Sequence, residues 1–155
     1  MLDGKIIVID DNKSVLSALE ILLQFEYKTV NCISNPNQIP SFPNLIDYDI
    51  VLLDMNFSAG VNTGNEGLFW LKEIKKKAPH ISVIMMTAYG AIDLAVKALK
   101  DGAADFVLKP WNNDKLLATV KSAYLLRKSQ KEVGLLKEKQ SNLKQVITSL
   151  VILKP

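Results

Sequence analysis

Three aspartates, a threonine and a lysine occupy positions from which chemistry could be done. Asp10 and Asp11 follow the apolar run Lys5–Ile9 (KIIVI), and Asp54 follows Ile50–Leu53 (IVLL). Thr87 follows Ser82–Met86 (SVIMM), and Lys109, itself followed by Pro110, closes Asp105–Leu108 (DFVL). Each apolar run reads as a buried strand, so each of these residues stands at a strand's carboxyl end. Unit charges about 4 Å apart repel by ~4 kcal/mol at an effective dielectric near 20, so carboxylates gathered there need a cation among them. Oxygen donors without His or Cys suit Mg²⁺ better than zinc. A carboxylate beside Mg²⁺, with an ammonium and a hydroxyl opposite, fits phosphoryl transfer: Asp54 supplies the attacking oxygen, and the metal and Lys109 neutralise the phosphoryl oxygens. Singly, these residues are ordinary turn formers, helix caps or solvated charges. Their joint placement on four strand ends carries the reading.

The elements that must position them follow from hydrophobic period. Thr29–Ile33 (TVNCI) adds a further strand. Between the strands, Ser14–Phe25 sets Val15, Leu16, Leu19, Leu22 and Leu23 on one helical face. Glu66–Lys77 does the same with Leu68, Leu71 and Ile74, leaving Lys72, Lys75 and Lys76 largely to water. Three prolines in Asn35–Asn44 predict a short or broken second helix. Ile92–Lys100 forms the fourth helix, and a fifth starts near Asn113. Strands alternating with helices imply right-handed crossovers and a doubly wound parallel sheet, an α/β fold that binds ligands beyond its strands' carboxyl ends. No GxGxxG or GxxxxGK loop is present, which argues against a nucleotide site.

Composition narrows the class. The 155 residues are 48% hydrophobic and 23% charged, enough apolar content for one ordinary domain plus an appendage. No apolar run approaches the ~20 residues of a membrane span, and the first ten residues do not read as a signal peptide. A single cysteine, Cys32, excludes an internal disulfide framework and a CxxC metal site, so a cytoplasmic protein with no membrane partner is expected. Residues 1–110 carry net charge −3 and residues 111–155 carry +6, a mildly acidic body with a basic tail. The tail reads as a solvated helix face before it reads as a nucleic-acid contact.

Beyond Trp111 the period changes. Leu126, Ser129, Val133, Leu136, Gln140, Leu143, Ile147 and Leu150 recur at alternating spacings of three and four, which suits a coiled-coil seam. One helix over Asn113–Ser149 would be about 55 Å long at ~1.5 Å per residue, too long to lie wholly on this domain. Gly134 is its weak point. A dimer seam is favoured over packing on another domain.

With these motifs assembled, Ile6–Asn12 (IIVIDDN), Ile50–Asn56 (IVLLDMN), Val83–Gly90 (VIMMTAYG) and Gly102–Trp111 (GAADFVLKPW), the chain resembles the CheY-like receiver domain of two-component response regulators over roughly residues 3–122. The resemblance implies a five-stranded flavodoxin-like sheet of order 2-1-3-4-5. It implies that Asp54 is the phosphoacceptor for a sensor histidine kinase and that Asp11 ligates Mg²⁺ directly, with Asp10 acting through a coordinated water. It implies that the Asn56 carbonyl completes the metal shell, that Thr87 and Phe106 are switch residues, and that Lys109 precedes a cis proline. Activation would draw Thr87 and Lys109 to the phosphorylated Asp54, let Phe106 turn inward and change a surface that includes Tyr89, Ala91, Ile92 and Leu99. Such a protein is no enzyme beyond its own phosphorylation and dephosphorylation.

The division expected is a receiver over 1–122 and a helical, coiled-coil-like linker over 123–155, leading to an output domain outside this chain. A basic heptad linker resembles nitrogen-regulator-like (NtrC-type) transcription activators, with homodimers through the fourth helix and fifth strand or through the C-terminal helix, and DNA contact only through the output domain. A stand-alone receiver acting by protein–protein contact is the alternative. An aspartyl-phosphate hydrolase would place a DxD nucleophile on its first strand, where this chain has adjacent Asp10 and Asp11. The segment Asn56–Asn65 (NFSAGVNTGN) departs from the family in length and lacks its usual proline, and is either a neutral insertion or a lid over the site. His80 is expected in an exposed turn, Cys32 as a partly buried thiol, Trp70 in the core and Trp111 as an anchor beyond Lys109.

Overall fold

The computed structural model describes residues 1–56, 65–88 and 91–153. Five strands, β1 (Leu2–Ile9), β2 (Tyr27–Ile33), β3 (Ile50–Asp54), β4 (Ser82–Ala88) and β5 (Asp105–Lys109), pair in parallel in the order β2-β1-β3-β4-β5. The helices are α1 (Lys13–Gln24), α2 (Asn65–Lys77), α3 (Ile92–Lys100) and α4 (Asn113–Leu153). Where the prolines predict a broken helix, the chain makes two short 3-10 turns, Pro36–Ser41 and Leu45–Asp47. The helix expected as the fourth is therefore α3.

The apolar runs become strands because both faces of the sheet are covered. Alternate residues of β1 enter different cores: Ile7 and Ile9 pack with Leu71 and Ile74 of α2, and Ile6 and Val8 with Leu19 and Leu23 of α1. All five residues of β3 are buried. β1 begins three residues before the apolar run, at Leu2, with a register shift between Leu2 and Lys5. Asp3 and Gly4 hide this start from a hydrophobicity reading, and Asp3 faces solvent, paired with Lys28 at 2.7 Å.

α4 has two characters. Leu116, Val120, Ala123 and Tyr124 are buried against the sheet, and Tyr124 meets Tyr27 edge to face with ring centroids 5.6 Å apart. Lys131 then pairs with the buried Asp49, which also accepts the Lys5 backbone N–H at 2.9 Å. From there the helix projects, with Val133, Leu136, Leu143, Ile147 and Leu150 all exposed. It runs unbroken through Gly134 and four residues past Ser149, 41 residues in all.

One glycine is fixed by close approach. The first turn of α2 lies directly on the backbone that follows Asp54: Gly67 N–H donates to the Met55 carbonyl at 3.1 Å, and a Cβ at Gly67 would stand 2.5 Å from Met55 Cα. Backbone cannot give way as a side chain can, so Gly67→Ala should cost about 1–3 kcal/mol in urea denaturation. Gly134 has nothing within 4 Å of the same position, and Gly134→Ala should stabilise by up to ~1 kcal/mol. Equal stability of the two variants would contradict the packing described.

Candidate functional site

The carboxyl ends of β1, β3, β4 and β5 meet at one rim. Asp10 leaves β1 with its N–H on the Ile33 carbonyl (3.2 Å), and its Oδ1 accepts the Asn12 N–H at 2.9 Å. Asn12 in turn caps α1, its side chain accepting from the Ser14 and Val15 N–H groups. A compact turn thus fixes Asp10 and presents Asp11 to solvent. Asp54 ends β3 beside Met86, and the β4–β5 register places Thr87 one residue further along β4 and Lys109 opposite Ala88. The Lys109–Pro110 peptide is cis, as the family resemblance implies.

Lys109 ties these strand ends together. Its Nζ donates to Asp10 Oδ2 at 2.5 Å and to Asp54 Oδ1 at 3.0 Å. Carboxylate oxygens of Asp10, Asp11 and Asp54 lie within 4.8 Å of one another. Asp10 and Asp54 are buried, Asp11 is exposed, and Thr87 is wholly enclosed with a hydroxyl that has no partner among the described residues. Asn56 is half-buried just past β3. Phe106 is half-buried and packs against the core under α2 and α3.

The electrostatics follow from this crowding. Burial pushes the Asp54 carboxyl up to about 6 and the charge of Asp10 adds to it, against the opposing pull of Lys109 and the Asn56 N–H. Burial and the neighbouring Asp10 also raise Asp11. For Lys109, burial opposes the charged form, but its hydrogen bonds and ion pairs with Asp10 and Asp54 prevail and hold it above the usual lysine range. Three carboxylates against one ammonium leave two negative charges uncompensated. Oxygen-only donors with surplus negative charge fit a hard divalent cation such as Mg²⁺.

A family model for the response regulator receiver domain matches residues 6–121. The chain belongs to this family. It is 37% identical over 118 residues to the transcriptional regulatory protein ZraR of Klebsiella oxytoca, an alignment covering 76% of this chain and 26% of that protein. The chain thus spans about a quarter of the length of such relatives. Among solved structures, the N-terminal signal receiver domain of a two-component response regulator from Bacteroides fragilis is 46% identical, with TM-score 0.70, covering 79% of this chain and 98% of that one. NtrX from Brucella abortus, solved with ADP, superposes with TM-score 0.79 at 26% identity over 90% of this chain and 30% of that one. The fold is the CheY-like receiver fold, and the relatives are regulators of the nitrogen-regulator type.

Of the residues singled out from sequence, the structure gathers Asp10, Asp11, Asp54 and Lys109 into one cluster and sets Thr87 and Asn56 on the adjoining strand ends. Tyr89 and residues 57–64 of the long segment lie outside the described residues. His80 is exposed, Cys32 half-buried and Trp70 buried. Trp111 is half-buried against the core under α1 and donates from Nε1 to Asn113 Oδ1 at 2.9 Å. Two supports went unread in the sequence: the Asn12 cap that holds Asp10, and Gly67. The first had a signal in the Asp-Asp-Asn-Lys-Ser run, since Asn before a helical period is a common cap.

The raised Asp54 makes a signed prediction. Its folded form binds a proton more readily than the unfolded chain, so its contribution to stability falls as pH rises from about 4 through about 6. In metal-free buffer, Asp54→Asn should therefore raise the melting temperature at pH 7.5, with the gain vanishing below pH 5. A variant less stable than the parent at pH 7.5 would show that the Lys109 contact outweighs the crowding.

Proposed function

We propose that this chain is a phosphorylatable receiver in which Asp54 takes a phosphoryl group from the phosphohistidine of a sensor kinase. The observation that carries the reading is the buried Asp10–Lys109–Asp54 bridge beside an exposed Asp11. In the transfer, an Asp54 carboxylate oxygen forms the new bond to phosphorus while the bond from phosphorus to the donor's imidazole nitrogen breaks, and that nitrogen keeps the electron pair. Lys109 is placed to leave its carboxylate contact and pair with a phosphoryl oxygen. The orphaned Thr87 hydroxyl needs an acceptor, which the same group provides. Hydrolysis returns the aspartate when water attacks the phosphorus, so the chain turns over nothing beyond its own phosphoryl group.

Asp11, Asp54 and the Asn56 carbonyl would hold Mg²⁺. Both carboxylate oxygens of Asp10 are engaged, by the Asn12 N–H and by Lys109, which supports a contact through water. Bound Mg²⁺ supplies positive charge to the phosphoryl oxygens. Movement of Thr87 makes room for Phe106, and the change is read on the face of α3 and β5, where Ile92, Val96 and Leu99 are already exposed. Residues 1–122 act as the receiver and 123–155 as a helical linker to an output, in the cytoplasm, with transcription the controlled process and DNA touched by the output domain alone. The exposed α4 seam supports a homodimer through that helix, with the α3–β5 face as a second surface. A stand-alone receiver remains the second reading, since the same face could carry the signal to a separate protein.

Two experiments test this. Acetyl phosphate with Mg²⁺ should add one labile phosphoryl group by intact mass, absent from Asp54→Ala; a modified Asp54→Ala protein would move the acceptor elsewhere. In sedimentation, the double variant Leu136→Glu, Leu143→Glu should run as a monomer at concentrations where the parent is a dimer. A parent that stays monomeric throughout would remove the seam from the account.

A further inference from the structure

At the opposite rim of the sheet, where α4 passes the amino-terminal end of β4, lies a cavity of about 570 Å³. Lys75 of α2, His80, and Arg127 and Lys131 of α4 line it, with Ile81 and Leu126 on an apolar side. No carboxylate stands among the described residues that line it. Lys131 is neutralised by Asp49. Lys75 is not: its Nζ donates to the Pro79 and Ile81 carbonyls at 2.8 and 2.9 Å, which engage two of its three N–H donors and leave its charge. Burial, and then the nearby Arg127, push the Lys75 ammonium below the usual lysine range. Arg127 Nε is sealed from solvent and has no acceptor among the described residues. A buried charged donor left without an acceptor is unfavourable.

Two uncompensated cations on the walls of one cavity attract an oxyanion, and a guanidinium binds phosphate through two parallel bonds. We propose that this cavity is a binding site for a small phosphate-bearing anion, held between Lys75 on the body and Arg127 on the linker helix. The volume suits a small molecule, and Ile81 and Leu126 accommodate its uncharged part. Because the two cations belong to different elements, occupancy draws α4 onto the receiver body just before the helix projects. The site is remote from Asp54 and stands whether or not that residue accepts a phosphoryl group.

The test uses the full chain and inorganic pyrophosphate, titrated in EDTA to exclude the acidic cluster's metal, and followed by calorimetry and by the NMR signal of the Arg127 Nε–H. Saturable one-site binding that moves this signal is expected, with Arg127→Gln and Lys75→Gln each weakening it about tenfold as a charge-assisted contact is lost. Lys144→Gln, on the projecting part of the tail, should leave binding unchanged. An unmoved Arg127 signal in the parent protein overturns the proposal without recourse to any variant. An equal loss in Lys144→Gln overturns it in favour of non-specific attraction to the tail, and equal affinity for citrate overturns the phosphate assignment.

Discussion

A single ammonium holding apart and together two buried carboxylates is the constraint on which this molecule rests. Lys109 reaches Asp54 across an intervening strand, roughly 10 Å at ~4.8 Å per strand, and continues to Asp10. Only a long, flexible cationic side chain at the end of β5 spans that gap; an imidazole could not. The strand order is equally bound to the contact. With β1 and β3 adjacent, the two aspartates stand side by side, and with β4 between β3 and β5, Thr87 lies under the lysine's path. Permuting two strands would leave the same residues present and the site unbuilt.

Crowded carboxylates are a source of instability, and the remainder of the fold offsets it. The sheet is covered on both faces, and the residues that flank the acids are among the best enclosed: Ile9 before Asp10, Leu53 before Asp54 and Met86 before Thr87 are all buried. The acids therefore project from strands that cannot shift to relieve their repulsion. Two local devices complete the frame. Asn12 bonds Asp10 while capping α1, and the bare Cα of Gly67 lets α2 sit on the backbone that follows Asp54. Relief of the charge must come from outside the chain, by a proton or a cation.

Most of this was legible in sequence because central parallel strands are buried on both faces and so read as unbroken apolar runs ended by the residues of interest. Ile50–Leu53 leading to Asp54 is the plainest instance. What was hidden has definable causes. The start of β1 was masked by Asp3 and Gly4, since an exposed acid and a glycine break the apolar signal without breaking the strand. The tie between Lys131 and Asp49 joins residues 82 apart, beyond any local pattern. Gly67 carries no local signal in the sequence; only the approach of Met55 gives it meaning. The helix continues past the expected end at Ser149 through Leu150–Leu153, because apolar residues without Gly or Pro offer nothing to stop it.

The two halves of α4 obey different balances. Through Tyr124 the helix is part of the core and cannot move without opening it. Past Lys131 it offers a seam whose layers are uneven, with Ser129 and Gln140 interrupting the apolar positions. In a parallel pairing the flanking positions would set Glu132 against Lys137 of the partner subunit, an attraction, and Lys139 against Lys144 of the partner subunit, a repulsion. These nearly cancel, so the pairing would rest on the few apolar layers alone and stand close to balance. The Lys131–Asp49 pair lies at the point of departure, at the edge of the sheet opposite Asp54, and fixes the helix to the body there.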